Sequence, residues 1–303
     1  MATSMDVDEP QTTRIDEGLY SRQLYVLGAD AMKRMMGSSV LIVGLNGLGV
    51  EVAKNVVLAG VKSVTIHDDV PVQIADLGAQ FFLREADVGQ PRAAVTKPRL
   101  AELNNYVPVE VHTGALSAAV VSSFSIVVIC GGVPMAECVS INAVCRAAGV
   151  RFILAETFGV FGYTFCDFGD EFVVVDANGE EPTSSMVATI DNSVEPAVVT
   201  CLEDTRHGLE DGDYVRFTEV GGMAALNEAE ARPVAVINPH SFKVNGIGGM
   251  GSHTNGGLIM QVKQNKTVHF KSLAEAITNP DAANIVPSDF GKFDRMHQLH
   301  WGV

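Results

Sequence analysis

Short apolar runs alternate with segments of helical periodicity along the first half of this chain. Five runs have the length and composition of β-strands, and they occupy residues 39–44, 63–68, 108–114, 125–132 and 150–156. Three segments with helical spacing lie between them, at 47–60, 92–104 and 134–149. Because strands separated by helices pair in parallel through crossover connections, this pattern predicts an α/β fold with a Rossmann-like, doubly wound sheet.

A further helix is predicted before the first strand. Ser21 is a suitable N-cap, the helical spacing continues to about Met36, and Gly37 follows as a stop signal. The residues before this helix are acidic and polar, unlike the apolar core of a signal peptide. We therefore expect residues 1–13 to form a disordered tail.

The pattern changes after about Gly169, where short strands separated by turn signals replace the alternation of strands and helices. Six such strands lie at 171–176, 186–191, 197–202, 213–220, 233–238 and 258–263. The pairs Asn178-Gly179, Asp211-Gly212 and Gly221-Gly222 stand between them as turn sequences. This half of the chain therefore predicts a small all-β domain.

Helical character returns near Lys271, where Ser272 and Glu275 form a capping box. The all-β domain is therefore predicted to be an insertion into the α/β domain. The expected organisation is a first part of the α/β domain at 14–169, an inserted domain at 170–264, and a return to the first domain at 265–303.

Composition and charge restrict the possible ligands. The 303 residues carry a formal net charge of -15, so nucleic acid is not an expected partner, because phosphate backbones favour basic surfaces. No apolar run reaches the roughly 18–20 residues of a membrane span, so no membrane partner is expected. The five cysteines form no C-x-x-C pair. The absence of this pair gives no indication of a metal site. The odd number of cysteines predicts reduced thiols, as in proteins of the cytosol or nucleus.

The stretch VLIVGLNGLGVEVAKN, residues 40–55, matches the G-x-G-x-x-G nucleotide loop with one glycine replaced. The three positions are Gly44, Asn46 and Gly49. Asparagine tolerates left-handed backbone angles, so the turn can form, but its side chain would crowd an incoming phosphate. The loop therefore either binds a nucleotide or is kept for packing alone. Asp68 ends the next strand. It is either a ligand of a ribose hydroxyl or a solvated carboxylate in a turn.

Four motifs together carry a family resemblance. They are YSRQLYVLG at 20–28, the loop at 40–55, DLGAQFFLREADVGQPRAAVTKPRLAELNNYVPV at 76–109, and GLEDGDYVRFTEVGGM at 208–223. In this order they resemble the N-terminal part of the ubiquitin-activating enzyme family, over nearly all of residues 14–303. The resemblance implies two adenylation-type halves, of which only the later one adenylates the ubiquitin C-terminus with ATP and magnesium. The first half would be inactive and would carry an inserted β domain, the first catalytic-cysteine half-domain.

The loop region departs from the pattern of an active half in this family. An active half has a run like S-N-L-N-R-Q, and Ala79 stands at its arginine position. Arg92 replaces the lysine of the following G-x-x-K run, and residues 129–134 lack the carboxylate that would bind magnesium. We therefore expect a non-catalytic site, with no cofactor bound by this chain. The degenerate remnants of the nucleotide loop are Gly44, Asn46, Gly47, Gly49, Asp68, Ala79 and Arg92.

No cysteine combines exposure with a basic setting, so we expect no catalytic residue in this chain. The resemblance implies that the acceptor cysteine lies in a later half-domain. It also implies that Arg22 reaches across an interface to the ATP phosphates of the active half. The glycine-rich run at 244–257 precedes a strand instead of a helix, so it is predicted to be a hairpin loop with His253 exposed.

The expected partners follow from the resemblance. They are ubiquitin, the active adenylation half of the same protein and, through later domains, ubiquitin-conjugating enzymes. The resemblance also implies that the protein lies in the cytoplasm and nucleus. Three alternatives remain, which are an activating enzyme for another ubiquitin-like modifier, an NAD-dependent oxidoreductase and a non-enzymatic scaffold. Asn46 weakens the oxidoreductase alternative, since it occupies a glycine position of the dinucleotide loop.

Overall fold

The computed structural model describes residues 15–202 and 206–279. The predicted tail at 1–13 and most of the predicted return segment lie outside these residues. The chain divides into two compact units, and the second unit, Val173–Val268, interrupts the first. The sequence pattern predicted that the insertion runs from 170 to 264. Both predicted limits lie three or four residues before the observed limits, Val173 and Val268.

A six-stranded sheet with the strand order β3-β2-β1-β4-β5-β6 forms the centre of the first unit. Its strands are β1 (Ser39–Val43), β2 (Ser63–His67), β3 (Val109–Val111), β4 (Ile126–Ile129), β5 (Arg151–Phe158) and β6 (Phe161–Asp167). The first five are parallel, as predicted, and β6 pairs antiparallel with β5. The sequence pattern did not predict β6, because this strand depends on pairing with β5 across the turn at Gly159.

Helices cover both faces of this sheet. The longer ones are α1 (Glu17–Met36), α2 (Gly47–Ala59), α3 (Arg92–Ala101) and α5 (Met135–Ala148), and the short ones are α4 (Ala118–Val121) and α7 (Leu273–Thr278). The short helix α6 (Ala224–Asn227) belongs to the second unit. Val40 and Ile42 of β1 pack with α2 and α3 on one face, whereas Leu41 and Val43 pack with α5 on the other. Burying such aliphatic side chains contributes about 1.5–3 kcal/mol each. No helix within the described ranges is long and apolar enough to cross a membrane.

The first helix begins earlier than predicted. Asp16, not Ser21, is its N-cap, because the Asp16 carboxylate accepts hydrogen bonds from the backbone N–H groups of Gly18 and Leu19. The Tyr106 hydroxyl donates to the other oxygen of Asp16 and so fixes this cap against the loop after α3. Gly28, with φ +78°, interrupts α1, and Gly37 ends its second part, as the sequence predicted.

The second unit is a closed antiparallel barrel with the strand order β10-β11-β12-β9-β8-β13. Its strands are β8 (Ser184–Asp191), β9 (Ala197–Cys201), β10 (Tyr214–Thr218), β11 (Arg232–Asn238), β12 (Ser241–Val244) and β13 (Leu258–Gln261). A separate two-stranded sheet pairs β7 (Phe172–Val174) with β14 (Lys266–Val268). The sequence pattern missed β12 and β14. The all-β character of this unit was predicted correctly.

The glycine-rich run at 244–257 is a loop between β12 and β13, as predicted. It is not a hairpin loop, because β12 pairs with β11 and β9 whereas β13 pairs with β10 and β8. His253 is partly buried, and the expectation that it is exposed is wrong. One ring nitrogen of His253 lies 2.8 Å from the Gly256 carbonyl oxygen, so the imidazole ties the loop to itself.

Two polar side chains on α5 hold the segments through which the chain leaves and re-enters the first unit. Arg146 donates through Nη1 to the buried Asp167 carboxylate at 2.5 Å and to the Phe270 carbonyl at 3.1 Å. One helical turn earlier, Asn142 donates to the other oxygen of Asp167 at 2.8 Å and accepts from the Leu273 N–H at 2.9 Å. The outgoing and returning segments are therefore fixed to the same helix.

We predict that Arg146→Met lowers the free energy of unfolding of the α/β unit by about 3 kcal/mol, because it leaves the fully buried Asp167 carboxylate without its cation. Urea denaturation followed by circular dichroism measures this change. Lys97→Met is the matched control, since the Lys97–Glu110 pair is solvent-exposed and such pairs contribute at most about 1 kcal/mol. Equal losses in the two variants would contradict the assigned role of Arg146.

Candidate functional site

The loop at 40–55 lies at the carboxyl edge of the sheet, where β1 has β2 on one side and β4 on the other. This is the topological switch point, at which doubly wound proteins bind their ligands. A cavity of about 440 Å³ opens at this point. The residues that line it include Gly44, Asp68, Arg92, Gly131 and Val133. The structure therefore brings together residues that the sequence placed in four separate segments.

Two glycines of the loop are required by backbone geometry alone. Gly44 has φ +86°, a conformation that other residues rarely adopt. A Cβ atom on Gly49 would lie 1.8 Å from the Gly44 carbonyl oxygen, so no side chain fits at this position of α2. Both glycines therefore allow α2 to approach β1 closely, whether or not a ligand is bound.

Asn46 is the N-cap of α2. Its Oδ1 accepts from the Gly49 N–H at 2.9 Å, and its Nδ2 donates to the Cys130 carbonyl at 2.7 Å. The residue has φ -69° and an extended backbone, so the left-handed conformation expected from the sequence is not used. Asn46 instead joins the loop after β1 to the end of β4.

Asp68 is buried, with 5% of its surface exposed, and its interpretation as a solvated turn carboxylate is wrong. Its Oδ2 accepts from the Leu45 N–H at 2.7 Å and from Arg92 Nε at 3.0 Å. Its Oδ1 accepts from the Val70 N–H at 3.0 Å. Both oxygens of this carboxylate are therefore bound within the protein.

Arg92 is held between two carboxylates. Besides Asp68, it contacts Asp76 through Nη1 at 3.2 Å. At the neighbouring remnant positions, a Cβ atom on Gly47 would lie 3.0 Å from Cβ of Ala79, so the alanine packs directly against the loop. The cation that the sequence retained at this site is therefore already paired.

Glu156 is a residue of this region that sequence reasoning missed. It lies on the part of β5 that extends beyond the last β4 residue paired with it. A Cβ atom on Gly131 would lie 3.3 Å from Glu156 Oε1 and 3.2 Å from Asn46 Nδ2. The Tyr163 hydroxyl donates to Glu156 Oε2 at 2.9 Å, and burial together with this bond raises the pKa of Tyr163. Pairing of β5 with β6 brings a carboxylate next to the segment 129–134, which has none of its own.

Arg22 is not part of this cavity. It is exposed on α1 and lines a separate hollow of about 670 Å³ with Leu58 and Tyr106. The structure therefore separates Arg22 from the other predicted site residues.

Comparison with known proteins places this fold in a family. The model of the ThiF family matches residues 20–202, more than half of the chain. The chain belongs to the ThiF family. Two further models, described as the ubiquitin-activating enzyme E1 FCCH domain and the ubiquitin-activating enzyme E1 four-helix bundle, match residues 194–263 and 264–303.

Curated relatives of this ThiF-family chain are similar over nearly its whole length. Ubiquitin-like modifier-activating enzyme 1 of Oryctolagus cuniculus is 48% identical over 288 residues, which is 95% of this chain and 27% of the relative. Ubiquitin-activating enzyme E1 1 of Candida albicans is 46% identical over 302 residues, which is 100% of this chain and 29% of the relative. The resemblance to the ubiquitin-activating enzyme family is confirmed. The chain spans less than a third of the length of these relatives.

The cysteines of the ThiF-family chain are unsuited to nucleophilic chemistry. Burial raises the pKa of Cys130 and Cys145 to about 12 and that of Cys138 and Cys201 to about 11. Burial also raises the pKa of Cys166. A raised pKa lowers the fraction of thiolate at neutral pH, so these thiols are poor nucleophiles. Within the described part of the chain, no group of three or more His, Cys, Asp or Glu could hold a metal ion.

We predict that restoring the missing loop glycine will not restore nucleotide binding in this ThiF-family chain. Asn46→Gly removes the donor to the Cys130 carbonyl and the acceptor for Gly49, so it should lower the free energy of unfolding by about 1 kcal/mol. Thermal unfolding measures the stability, and calorimetric titration with ATP measures binding. Asn46→Ser is the control, because serine retains a cap for α2 but cannot reach Cys130 in the same way. Binding of ATP by Asn46→Gly would contradict the prediction.

Proposed function

We propose that this chain is the non-catalytic part of a longer, ATP-dependent ubiquitin-activating enzyme. The observation that carries the proposal is the internal pairing of Arg92 with Asp68 and Asp76 at the switch point of a ThiF-family sheet. Adenylation of a carboxylate needs cations that neutralise the triphosphate, and the remnant cation Arg92 is bound to two carboxylates. The similarity to ubiquitin-activating enzymes supports the proposed class of reaction, which is the ATP-dependent activation of ubiquitin by the longer protein.

The active site lies, in this proposal, in a second adenylation-type half that binds ATP and magnesium. That half adenylates the ubiquitin C-terminus, and a later cysteine receives ubiquitin as a thioester. Ubiquitin-conjugating enzymes would then accept it through later domains, in the cytoplasm and the nucleus. An activating enzyme for another ubiquitin-like modifier is the alternative, since one of the relatives is named for ubiquitin-like modifiers. An NAD-dependent oxidoreductase is disfavoured by the pairing of Asp68, which leaves no free oxygen for a ribose.

The surface of α1 supports docking to such a second half. Tyr25 is 93% exposed and Val26 is 75% exposed, and Leu19 and Leu27 on the same helix are also exposed. Large apolar side chains grouped on a surface mark an interaction site. Arg22 is exposed among them, so a partner that covers this helix would meet its guanidinium group. We propose that Arg22 contacts the ATP phosphates of the active half.

Arg22→Ala in the longer protein should slow ubiquitin adenylation on the order of 10- to 1,000-fold, because an arginine that contacts phosphates stabilises the charge that develops on them. Ubiquitin-dependent exchange of pyrophosphate into ATP, at subsaturating ATP, measures this step. Arg22→Lys should recover only part of the rate, since lysine cannot donate the two parallel hydrogen bonds of a guanidinium group.

The control for this experiment is Arg151→Ala, which removes another exposed arginine at the start of β5. It should leave exchange unchanged. If Arg22→Ala exchanges pyrophosphate into ATP at the wild-type rate, Arg22 has no role in adenylation and is only a surface residue. The 303-residue chain by itself should give only background exchange, and exchange above background would overturn the non-catalytic assignment.

The barrel unit, Val173–Val268, is proposed to help hold ubiquitin near the later cysteine domain. Its exposed apolar residues include Met186 and Met260, which lie two rungs apart on neighbouring strands. Deleting the barrel from the longer protein should therefore impair thioester formation more than adenylation. Gel assays of the thioester and pyrophosphate exchange separate the two steps. Equal loss of both would indicate that the barrel serves only stability.

A further inference from the structure

Four Asn-Gly pairs occur in this chain, at residues 46–47, 178–179, 245–246 and 255–256. In such a pair the glycine backbone nitrogen loses its proton to solvent hydroxide and attacks the carbonyl carbon of the asparagine side chain. A C–N bond forms, the amide nitrogen leaves as ammonia, and water hydrolyses the resulting succinimide to aspartate or isoaspartate. Glycine permits the attack because it has no Cβ atom. The surroundings of each pair therefore decide whether it reacts.

Carboxylates hold the glycine nitrogen at two of the four pairs. The Gly179 N–H donates to Asp176 Oδ1 at 3.0 Å, and the Gly246 N–H donates to Glu195 Oε1 at 2.6 Å. Removing either proton would break the hydrogen bond and place a new negative charge beside a carboxylate, and like charges disfavour ionisation. The pairs at 178–179 and 245–246 are therefore protected through their glycines.

The pair at 46–47 is protected through its side chain. Both polar atoms of the Asn46 amide are bound, because Oδ1 accepts from the Gly49 N–H at 2.9 Å and Nδ2 donates to the Cys130 carbonyl at 2.7 Å. Attack by the Gly47 nitrogen would require the side chain to leave both partners and so to uncap α2.

The pair at 255–256 has neither kind of restraint. Asn255 and Gly256 are both exposed, and the Gly256 N–H donates to no group in the part of the chain that the structure describes. The Thr254 hydroxyl donates to Asn255 Oδ1 at 3.0 Å. A donor to this oxygen stabilises the negative charge that develops on it when the glycine nitrogen attacks the carbonyl carbon.

We propose that Asn255-Gly256 is a modification site, at which the folded chain converts asparagine to aspartate and isoaspartate without an enzyme. The pair lies in the glycine-rich loop between β12 and β13. The inference goes beyond the proposed function, because it concerns covalent chemistry within this loop and does not depend on that function.

The conversion acts on the barrel through the main chain of this loop. The Gly221 N–H donates to the Asn255 carbonyl at 2.8 Å, and the Thr254 N–H donates to the Gly221 carbonyl at 2.9 Å. These two bonds join the loop to the turn after β10. In isoaspartate the main chain runs through the side-chain carbon, so the original Asn255 carbonyl becomes part of a free carboxylate and the pair of bonds is disturbed. The modified chain should therefore unfold at a lower temperature.

Ageing of the wild-type 303-residue chain tests the proposal. The folded chain is incubated in mildly alkaline buffer and digested with a protease at intervals, and mass spectrometry quantifies the four Asn-Gly peptides. We expect Asn255 to convert about tenfold faster than the other three asparagines, because those pairs must first break hydrogen bonds. In concentrated urea the four rates should become similar, since the folded surroundings are lost.

A substitution of Glu195 tests why the other pairs are protected. Glu195→Ala should speed the conversion of Asn245, because it frees the Gly246 N–H from its carboxylate acceptor. Glu230→Ala is the matched control, since it removes an exposed carboxylate that accepts from none of the four glycines. It should change no rate.

A substitution of Thr254 tests the donor to the Asn255 amide. Thr254→Val should slow the conversion of Asn255 about fivefold, because it removes one neutral hydrogen bond and preserves the shape of the side chain. The proposal is overturned if Asn255 is not the fastest of the four asparagines in the folded chain. It is also overturned if Asn255 leads by the same factor in urea, where folded surroundings cannot act.

Discussion

The close approach of α2 to the end of β1 is the constraint on which the candidate site depends. A Cβ atom on Gly49 would overlap the Gly44 carbonyl oxygen, and one on Gly44 would lie 2.6 Å from the Gly131 carbonyl oxygen. These glycines are therefore required by the packing of helix on strand. That requirement would persist after a nucleotide ceased to bind, which explains how a loop can retain its glycines without nucleotide chemistry.

The polar side chains Asn46 and Asp68 at this edge of the sheet form hydrogen bonds and an ion pair within the chain. Asn46 caps α2 and reaches the end of β4, and Asp68 is bound by the loop and by Arg92. Buried polar groups that lack a partner cost roughly 1–3 kcal/mol each, so such pairing stabilises the loop by itself. The loop therefore contributes to the structural core of the domain.

The inserted barrel imposes a second requirement on the same domain. Asn142 and Arg146 of α5 hold the segments that lead out of the α/β unit and back into it. Hydrophobic residues of α5, including Ile141 and Cys145, pack on the sheet at the same time. The helix α5 therefore stabilises the core through its apolar residues. Through its polar residues it fixes the two segments that connect the α/β unit to the insertion.

The sequence by itself determined the class of the fold, because the alternation of apolar runs and helical segments allows few arrangements other than a doubly wound sheet. It also located the insertion, the altered loop and the family. Local pattern could not reveal β6 or β12, since each forms by pairing with a neighbouring strand. Likewise, the pairing of Asp68 with Arg92 and the position of Glu156 beside Gly131 join residues more than twenty positions apart. Only the tertiary structure decided these contacts, because they depend on which segments the sheet brings to the same edge.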